Sequence, residues 1–489
     1  MAGCREAAPP PAGLVVAIDS DPQSLDPRFG VDAASSRLAD LLHASLTRQD
    51  ATGNRIPELA AAWEQAGPTA IVFHLRGDFR FADGTPVTAD DVRATYEAVL
   101  DPATGSPKRG ALGVLAGVEA PDPATVVLRL HEPSGPALEV TGLGILPAAR
   151  AHAREEVALG AGPFRLVSAR RGDRIVLAPN PGWPDGPPRI DPLTIRVVPD
   201  EVVRVLELER GSVQFVQEAL DVELRERLAA EPDLRVRQTP GTSFAYLALN
   251  LRDARLADRR VREAVALALD RGELVGQVLG GAARPASGML APEHWAFGSA
   301  PPPRYDPRRA ARLLDRAGLP DPDGAGPLLR LHVVLKTTTQ PGRRRLAEAI
   351  QADLGVVGIG VEVRSYEWGT LFADIRSGNF AMATLAWVGV GDPDLYYLTL
   401  HSTMTPPEGY NRGRYASAVM DRLVERGRHV AAPEARRRIY ARVQRRAARE
   451  LPVVPLWWED RIVVHTVRLR GFAPEPSGDL RGLARAWLD

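Results

Sequence analysis

Residues 365–397 read SYEWGTLFADIRSGNFAMATLAWVGVGDPDLYY, and this stretch decides the fold. After Trp368 the apolar residues recur at the one-, three- and four-residue steps of a helix with a single apolar face. The pair Gly378-Asn379 is typical of a helix C-terminus. The first half of the stretch therefore predicts the end of a strand and then a helix headed by Trp368.

The second half of the stretch predicts a buried strand that ends in a turn. Residues 380–387 are apolar or small and too few to span a membrane, which suits a strand covered on both faces. The glycines and the proline of residues 389–394 cannot continue a helix or a strand interior. Trp368 and Trp387 would then stand beside a turn at a strand end, where α/β proteins build ligand clefts. The alternative is that both rings belong to the core and the turn only connects two elements.

The motifs of this stretch resemble the peptide/nickel class, family 5, of extracellular solute-binding proteins, which deliver ligands to ABC importers. The resemblance rests on YEWG, the helix that follows, and a strand ending in W-x-G-x-G-D-P-D. Further motifs similar to those of the family follow one another in the expected order over nearly all of residues 14–489. They are SLDP at 24–27, GNRIPELAAAW at 53–63, FADGTPVTADDV at 81–92, GAGPF at 160–164, ADRRVREAVALALDR at 257–271 and LPVVPLWW at 451–458.

The resemblance implies an α/β periplasmic-binding-protein fold of the class II type, in which two lobes are joined by a hinge and an additional lobe is inserted. Residues 1–13 would be a lipoprotein-like tether. The expected lobes are lobe I (14–44, 160–240 and 452–489), the inserted lobe II (45–159) and lobe III (241–451). Hinge closure around a ligand would present a closed surface to a membrane permease.

Composition limits the partners of the chain. The 489 residues include 45% apolar residues, enough for two or three lobes with their own cores. The 61 basic and 61 acidic residues give no electrostatic footprint for nucleic acid or for an anionic membrane. No apolar run approaches the roughly 20 residues of a membrane helix. We expect a monomer whose partners are a small-molecule or peptide ligand and the permease subunits of an ABC transporter.

The single cysteine, Cys4, excludes an internal disulfide and any cysteine-based metal site. Small residues before Cys4 and a proline-rich tether after it resemble the end of a bacterial lipoprotein signal, whose cysteine carries the lipid. No basic or apolar signal region precedes it. Either the sequence starts late, which we favour, or Cys4 is an incidental thiol in a disordered tail. The expected location is the periplasm or the outer face of the bacterial membrane, with a lipid anchor at Cys4 as the only membrane attachment.

No arrangement of residues for catalysis, metal binding or cofactor binding is visible. The nine histidines are not spaced three or four residues apart, and there is no H-E-x-x-H motif. Neither a G-x-S-x-G elbow nor a phosphate-binding G-x-x-x-x-G-K-[ST] loop occurs. The sequence therefore predicts a binding protein that is not an enzyme and has no cofactor.

The turn after Trp387 bears on which ligands the protein can bind. In the peptide-binding branch of the family, an acid just after W-x-G pairs with the α-ammonium of the ligand. Here the turn is one residue shorter, and the residue after Gly389 is Val390. Either Asp392 takes over that role, or ordinary peptides are excluded, because burying an ammonium without a partner costs several kcal/mol. We therefore predict that peptides with a free α-amino group bind weakly or not at all.

The remaining candidate ligand residues are placed by the resemblance alone. A basic residue near the strand end 335–337 often faces the ligand carboxylate in the dipeptide branch, and Lys336 is the nearest candidate, although its side chain can also point away from the cleft. Tyr246, Phe29 and Tyr397 are further candidates by their proximity to motifs. Two alternatives stay open: a non-peptide ligand such as a metal chelate, an opine or a sugar, and a sensory receptor or chaperone built on the same fold.

Overall fold

One mixed sheet of eleven strands runs through the protein, as seen in a computed structural model. The structure describes residues 13–153, 157–217, 220–298, 300–324 and 326–489. Cys4 and all but the last residue of the expected tether lie outside these ranges. No helix in the described ranges combines the length and the apolar character that a membrane crossing requires.

The strands are distributed along the whole chain and are numbered in chain order. They are β1 (Leu14–Ile18), β2 (Thr47–Gln49), β3 (Arg55–Pro57), β4 (Ala60–Gln65), β5 (Ala70–Leu75), β6 (Leu115–Asp122), β7 (Thr125–Leu130), β8 (Phe164–Arg170), β9 (Arg174–Pro179), β10 (Leu193–Val197), β11 (Phe215–Val216), β12 (Leu234–Leu249), β13 (Ala283–Pro285), β14 (Leu331–Thr338), β15 (Ile359–Tyr366), β16 (Met382–Trp387), β17 (Val453–Thr466), β18 (Leu469–Arg470) and β19 (Trp487–Leu488).

The α-helices are concentrated in the second half of the chain. They are α1 (Ala33–Leu42), α2 (Ala89–Leu100), α3 (Glu201–Glu209), α4 (Val222–Ala229), α5 (Ala254–Ala257), α6 (Arg259–Ala268), α7 (Arg271–Glu273), α8 (Pro307–Arg316), α9 (Pro341–Gly355), α10 (Trp368–Ser377), α11 (Leu395–Leu400), α12 (Ala418–His429) and α13 (Pro433–Glu450). The helix and strand predicted for residues 365–397 are present as α10 and β16. Gly378 ends α10 in the left-handed conformation with φ +84°.

Two long antiparallel strands, β12 and β17, connect the two halves of the large sheet. The strand order is β15-β14-β16-β12-β17-β11-β1-β10-β9-β8, with β13 attached to β17. In lobe III, alternate side chains of β12 point to opposite faces of the sheet, and each face is covered by its own apolar core. Helices therefore pack on both faces, as in other α/β sheets with parallel strands.

We propose that the hinge lies at the first of the two places where the pairing of β12 with β17 changes register. Thr239 pairs with Arg461 and Ser243 pairs with Glu459, so the residues between them on β12 are out of step with β17. Gly241 sits in this break, and a Cβ atom there would lie 2.2 Å from the carbonyl oxygen of Glu459. The two strands thus approach more closely at the crossing than a side chain at position 241 allows.

The cores show where lobe III returns to lobe I. Leu456 and Trp457 pack in one core of lobe III, and Trp458 packs in the other. Val463, only a few residues later, already packs in a core of lobe I. We therefore propose that the return occurs near residues 459–461 instead of at 452, because the first half of β17 is still a strand of lobe III.

Lobe II has a sheet of its own, with strand order β4-β5-β7-β6, covered by α2. A capping box begins α2, since the Asp91 carboxylate accepts a hydrogen bond from the backbone N–H of Thr88 at 2.8 Å. One continuous core runs from Ala44 to Ala161 and includes Phe73 and Tyr96. This core is separate from those of lobes I and III.

Candidate functional site

The carboxyl ends of the parallel strands in lobes I and III face each other across the hinge. In lobe III, β14 is parallel to both β15 and β16, and Trp387 at the end of β16 pairs with Phe244 beside the hinge. In lobe I, β1 is parallel to β10 and β11, and β11 runs antiparallel to β17, toward the hinge. Such strand ends are where open α/β sheets hold their ligands.

A cavity of about 550 Å³ lies between the three lobes at these strand ends. Lobe I contributes residues 31–40 and 475–481, lobe II contributes residues 45–55, and lobe III contributes Val388 and Gly389. The volume is in the range of small-molecule sites in proteins. A space enclosed by three lobes that meet across a hinge is suited to a ligand that is trapped by closure.

The wall that lobe I contributes is held by Arg481. Its guanidinium contacts the buried carboxylate of Glu58, which also accepts hydrogen bonds from the N–H and the hydroxyl of Ser45 at 2.8 and 2.7 Å. The carboxylate of Asp40 lies 3.7 Å from the same guanidinium. Desolvation in the cleft, together with the Asp479 and Glu58 carboxylates and against the opposing effect of Arg481, raises the pKa of Asp40 to about 6.

Three more acids of lobe I, Asp32, Glu475 and Asp479, line the cavity. Desolvation and the neighbouring Asp479 carboxylate raise the pKa of Glu475, while Arg48 and Arg485 oppose the shift. With Asp40, these acids outnumber the two arginines of lobe I that line the same cavity, Arg37 and Arg481, so this wall would stabilise a cationic group of a ligand.

Two charged groups of the wall that lobe II contributes, Arg55 and Asp50, are paired internally, whereas Arg48 is exposed and lines the cavity. Arg55 pairs with Glu139 at 2.7 Å. The Asp50 carboxylate accepts hydrogen bonds from Thr52 and Asn54, and these bonds outweigh desolvation and lower its pKa. These groups shape the loop at residues 50–55 and leave few charges of lobe II for a ligand.

Lobe III and lobe II touch beside the turn that follows Trp387. The His294 ring donates from Nε2 to the carbonyl oxygen of Gly391 at 2.7 Å, since its Nδ1 accepts from the Ala296 N–H. The backbone N–H of Trp295 donates to the carbonyl oxygen of Thr52 at 3.1 Å. These contacts close one side of the cavity.

A second cavity, of about 290 Å³, lies on lobe III at the ends of β14 and β16. Thr338, Thr339 and Trp368 line it, and the Thr338 hydroxyl is buried without a hydrogen-bond partner in the described structure. At its floor, Arg343 pairs with Glu459 of the hinge strand at 2.8 Å. The cavity therefore borders both the strand ends and the hinge.

The structure brings the two predicted tryptophans to one edge of lobe III. Trp368 is 54% exposed, lines the second cavity and stacks on Phe372 at 5.2 Å. Trp387 is half-buried at the end of β16. Gly389 adopts φ +65° and lines the cavity between the lobes. The ligand-binding roles of these three residues remain predictions.

Val390 and Asp392 are both directed into lobe III. Val390 is 7% exposed and packs in an apolar core with Tyr246 and Leu385. The Asp392 carboxylate accepts two hydrogen bonds from Arg436, at 2.9 and 2.7 Å. Val390 is uncharged and the Asp392 carboxylate is paired, so neither residue presents a free negative charge to the cleft in this arrangement.

Lys336 is also paired inside lobe III. Its ammonium group donates to the Asp374 carboxylate at 2.7 Å and to the carbonyl oxygen of Asn379 at 2.6 Å, and it lies 5.2 Å from the centre of the Tyr366 ring. The side chain is buried, so the structure favours the alternative that Lys336 points away from the cleft.

The other three candidates are scattered. Tyr246 is buried on lobe III and stacks on Phe244 at 5.5 Å. Tyr397 lies under the guanidinium of Arg428 at 4.3 Å from its ring centre. Phe29, in lobe I, lies 5.0 Å from the guanidinium of Arg28. The structure does not bring these three residues together.

Sequence reasoning missed the charged lining of the cleft. Asp40, Glu475 and Arg481 belong to segments at opposite ends of the chain, and no local motif marks them. Among the residues that the structure describes, no group of three or more His, Cys, Asp or Glu side chains is arranged to hold a metal ion.

The chain is similar to known proteins in both sequence and structure. The sequence profile described as bacterial extracellular solute-binding proteins, family 5, matches residues 54–407. The chain is 26% identical to the probable di/tripeptide-binding protein 5 of Pseudomonas aeruginosa, over 96% of this chain and 94% of that protein.

Two solved structures share the fold. The structure of NikZ from Campylobacter jejuni in complex with Ni(L-His) has a TM-score of 0.83 and 22% identity, over 97% of this chain and 99% of that one. The structure of AgaA from A. tumefaciens R10 in complex with agropinic acid has a TM-score of 0.79 and 25% identity, over 97% of this chain and 98% of that one.

Proposed function

This chain belongs to the bacterial extracellular solute-binding proteins of family 5, and we propose that it is the binding component of an ABC importer. It captures a peptide or peptide-like small ligand between its lobes and delivers the closed complex to a membrane permease. One observation carries the proposal: the cavity of about 550 Å³ is lined by all three lobes and lies beside a two-strand hinge. The similarity to a di/tripeptide-binding protein supports a peptide as the ligand.

Closure is the proposed mechanism. Lobe III rotates against lobes I and II about the register break of β12 and β17, which leaves the cores of the lobes unchanged. The ligand contributes contacts to both sides and thereby favours the closed state, because binding shifts a population only through contacts that differ between the states. In the closed state the cavity excludes bulk water, which strengthens hydrogen bonds to the ligand.

The choice between a peptide and another ligand depends on the α-ammonium. The acid expected after Trp387 is replaced by the buried Val390, and Asp392 is paired with Arg436. A peptide ammonium would have to face the acids of lobe I, such as Asp40. The prediction that free α-amino peptides bind weakly therefore stands as a prediction. These observations favour a second candidate, a non-peptide acid, and AgaA was solved with such a ligand, agropinic acid.

The deciding experiment is calorimetric titration with a panel of di- and tripeptides, each with a free and an acetylated amino terminus. Heat of binding with either form supports a peptide-binding protein. Absence of binding for the whole panel, with binding of an opine or another small organic acid, would replace the peptide by the second candidate.

The location and assembly of the protein are also proposals. We propose that the protein works outside the cytoplasmic membrane as a monomer, attached through a lipid on Cys4, as the resemblance to lipoprotein signals suggests. Mass spectrometry of the N-terminal peptide from membranes of the host tests the lipid. An unmodified cysteine in that peptide would remove this proposal without affecting the binding function.

A further inference from the structure

Arg412 is surrounded by aromatic rings at the edge of lobe III. The carbon at the centre of its guanidinium lies 4.7 Å from the ring centre of Trp387, 5.4 Å from that of Phe372 and 5.9 Å from that of Tyr410. Trp387 and Tyr410 also contact each other, at 5.2 Å between ring centres. Aromatic faces attract a cation, so the rings restrict the position of the guanidinium.

The charge of Arg412 has no counter-ion within the described part of the chain. Its side chain donates one hydrogen bond, from Nη1 to the Tyr246 hydroxyl oxygen at 3.0 Å. By contrast, Arg436 and Arg343 in the same lobe each pair with a carboxylate. A guanidinium has five N–H donors in its plane, and contact between its faces and aromatic rings leaves the donors at its edge available.

The edge that carries Arg412 adjoins the cleft, and Arg412 itself lines a separate small pocket of lobe III with Trp387 and Tyr410. Trp387 ends β16, and the next residue, Val388, lines the cavity between the lobes. On the other side, Phe372 stacks on Trp368, which lines the second cavity. Three large apolar side chains at this edge are open to solvent, with exposed fractions of 54% for Trp368, 59% for Val388 and 45% for Tyr410. A half-buried cation among exposed apolar side chains can pair with an anion that enters from solvent.

We propose that Arg412 is the residue of lobe III that receives a carboxylate of the ligand. The aromatic rings hold the guanidinium in place, and its free edge forms the paired hydrogen bonds that planar carboxylates accept. The acids Asp40 and Glu475 on the lobe I wall repel the same group, so the carboxylate end of the ligand is directed toward lobe III. The inference rests on the proposed function and adds to it a class of ligand, one that bears a carboxylate.

The experiment compares trialanine with trialanine amide by calorimetric titration, on the wild-type protein, R412Q, R412K and R422Q. Arg422 is exposed on α12 of the same lobe, so R422Q removes an equal charge away from the aromatic rings. We expect the wild-type protein and R422Q to prefer the free acid. R412Q should lower the affinity for the acid by about ten- to a hundredfold and leave the affinity for the amide unchanged. R412K, which keeps the charge but not the planar pair of donors, should fall between them.

Two results overturn the inference. One is an equal loss of affinity for acid and amide in R412Q, which would mean that Arg412 only supports the fold, and the other is no loss for either. Thermal melting of each variant shows whether it is folded.

If the wild-type protein binds neither form of trialanine, the inference is decided with benzoate, and the peptide ligand is decided separately by the peptide panel. Titration followed by tryptophan fluorescence should then show saturation in the wild-type protein and none in R412Q. Coincident curves overturn the inference.

Discussion

Asp392 and Arg436 form a two-bond ion pair inside lobe III, with donor–acceptor distances of 2.9 and 2.7 Å. Both side chains are nearly buried, at 11% and 5% exposure. Desolvation lowers the pKa of Arg436 and the charge of Asp392 raises it, and the net effect is a raised pKa. The acid that the sequence offers as a substitute anchor is therefore paired within lobe III.

Removing one partner of this pair should be far more damaging than removing both. Arg436→Met leaves the Asp392 carboxylate buried without a counter-ion, and we expect a loss of about 3 to 5 kcal/mol in the free energy of unfolding. The double variant D392L/R436M removes both charges and should lie within about 2 kcal/mol of the wild-type protein. Urea denaturation measures both. A double variant as unstable as R436M would show that the lobe needs the pair itself.

Acetylation of the peptide amino terminus should not weaken binding. With Val390 buried and Asp392 paired, lobe III has no free carboxylate at the turn to lose. We expect N-acetyl-trialanine to bind at least as tightly as trialanine, because the ammonium of the free peptide has no counter-ion at this turn. Tight binding of trialanine that is abolished by acetylation would contradict this, and loss of the same preference in D40N would then assign the ammonium to lobe I.

A side chain at the hinge glycine should impair both stability and closure. A Cβ atom at position 241 would meet the Glu459 carbonyl oxygen at 2.2 Å, so Gly241→Ala must push β12 and β17 apart. We expect a loss of about 1 to 3 kcal/mol and a smaller decrease in the radius of gyration on ligand binding, measured by solution scattering. Gly117→Ala, in a strand of lobe II where no atom lies within 4 Å of the new Cβ, is the control. Equal behaviour of the two variants would mean that the crossing is not tight.

The stability gained from Asp40→Asn should depend on pH. The pKa of Asp40 is raised from 3.8 to about 6, so ionisation of this carboxyl destabilises the folded state. The cost is absent below pH 3.8, grows as the pH rises and is complete above pH 6.

D40N should therefore match the wild-type protein near pH 4 and exceed its stability at pH 7.5 by about 1 kcal/mol. This value is discounted for solvent screening, because 41% of the side chain is exposed. The exposed Glu408→Gln is the control and should show no pH-dependent difference. A stabilisation of D40N that is equal at both pH values would contradict the assignment.

Local structure followed from local sequence. The end of α10 at Gly378 and the buried strand β16 were both predicted, because each depends on residues a few positions apart. The family resemblance added the order of the lobes, which no periodicity could supply.

The charged contacts could not be predicted in this way. Asp40 and Arg481 meet only because β17 returns the chain to lobe I, and Lys336 is paired by Asp374 of a neighbouring helix. A sequence motif identifies a residue type at a position but not the direction of its side chain, so Val390 could not be distinguished from a cleft residue. Arg412 was missed because the three aromatic rings around it belong to three separate segments of the chain.

The most direct measurement is native mass spectrometry of the protein purified from its own host without unfolding. The protein should carry bound small molecules whose masses, after release by acid, are those of short peptides or peptide-like compounds that bear a carboxylate. A single discrete mass that matches no peptide would contradict the peptide ligand and identify the class of compound that replaces it. A protein that carries no ligand, and acquires none from a peptide mixture, would contradict the central claim that this cleft captures solutes for an importer.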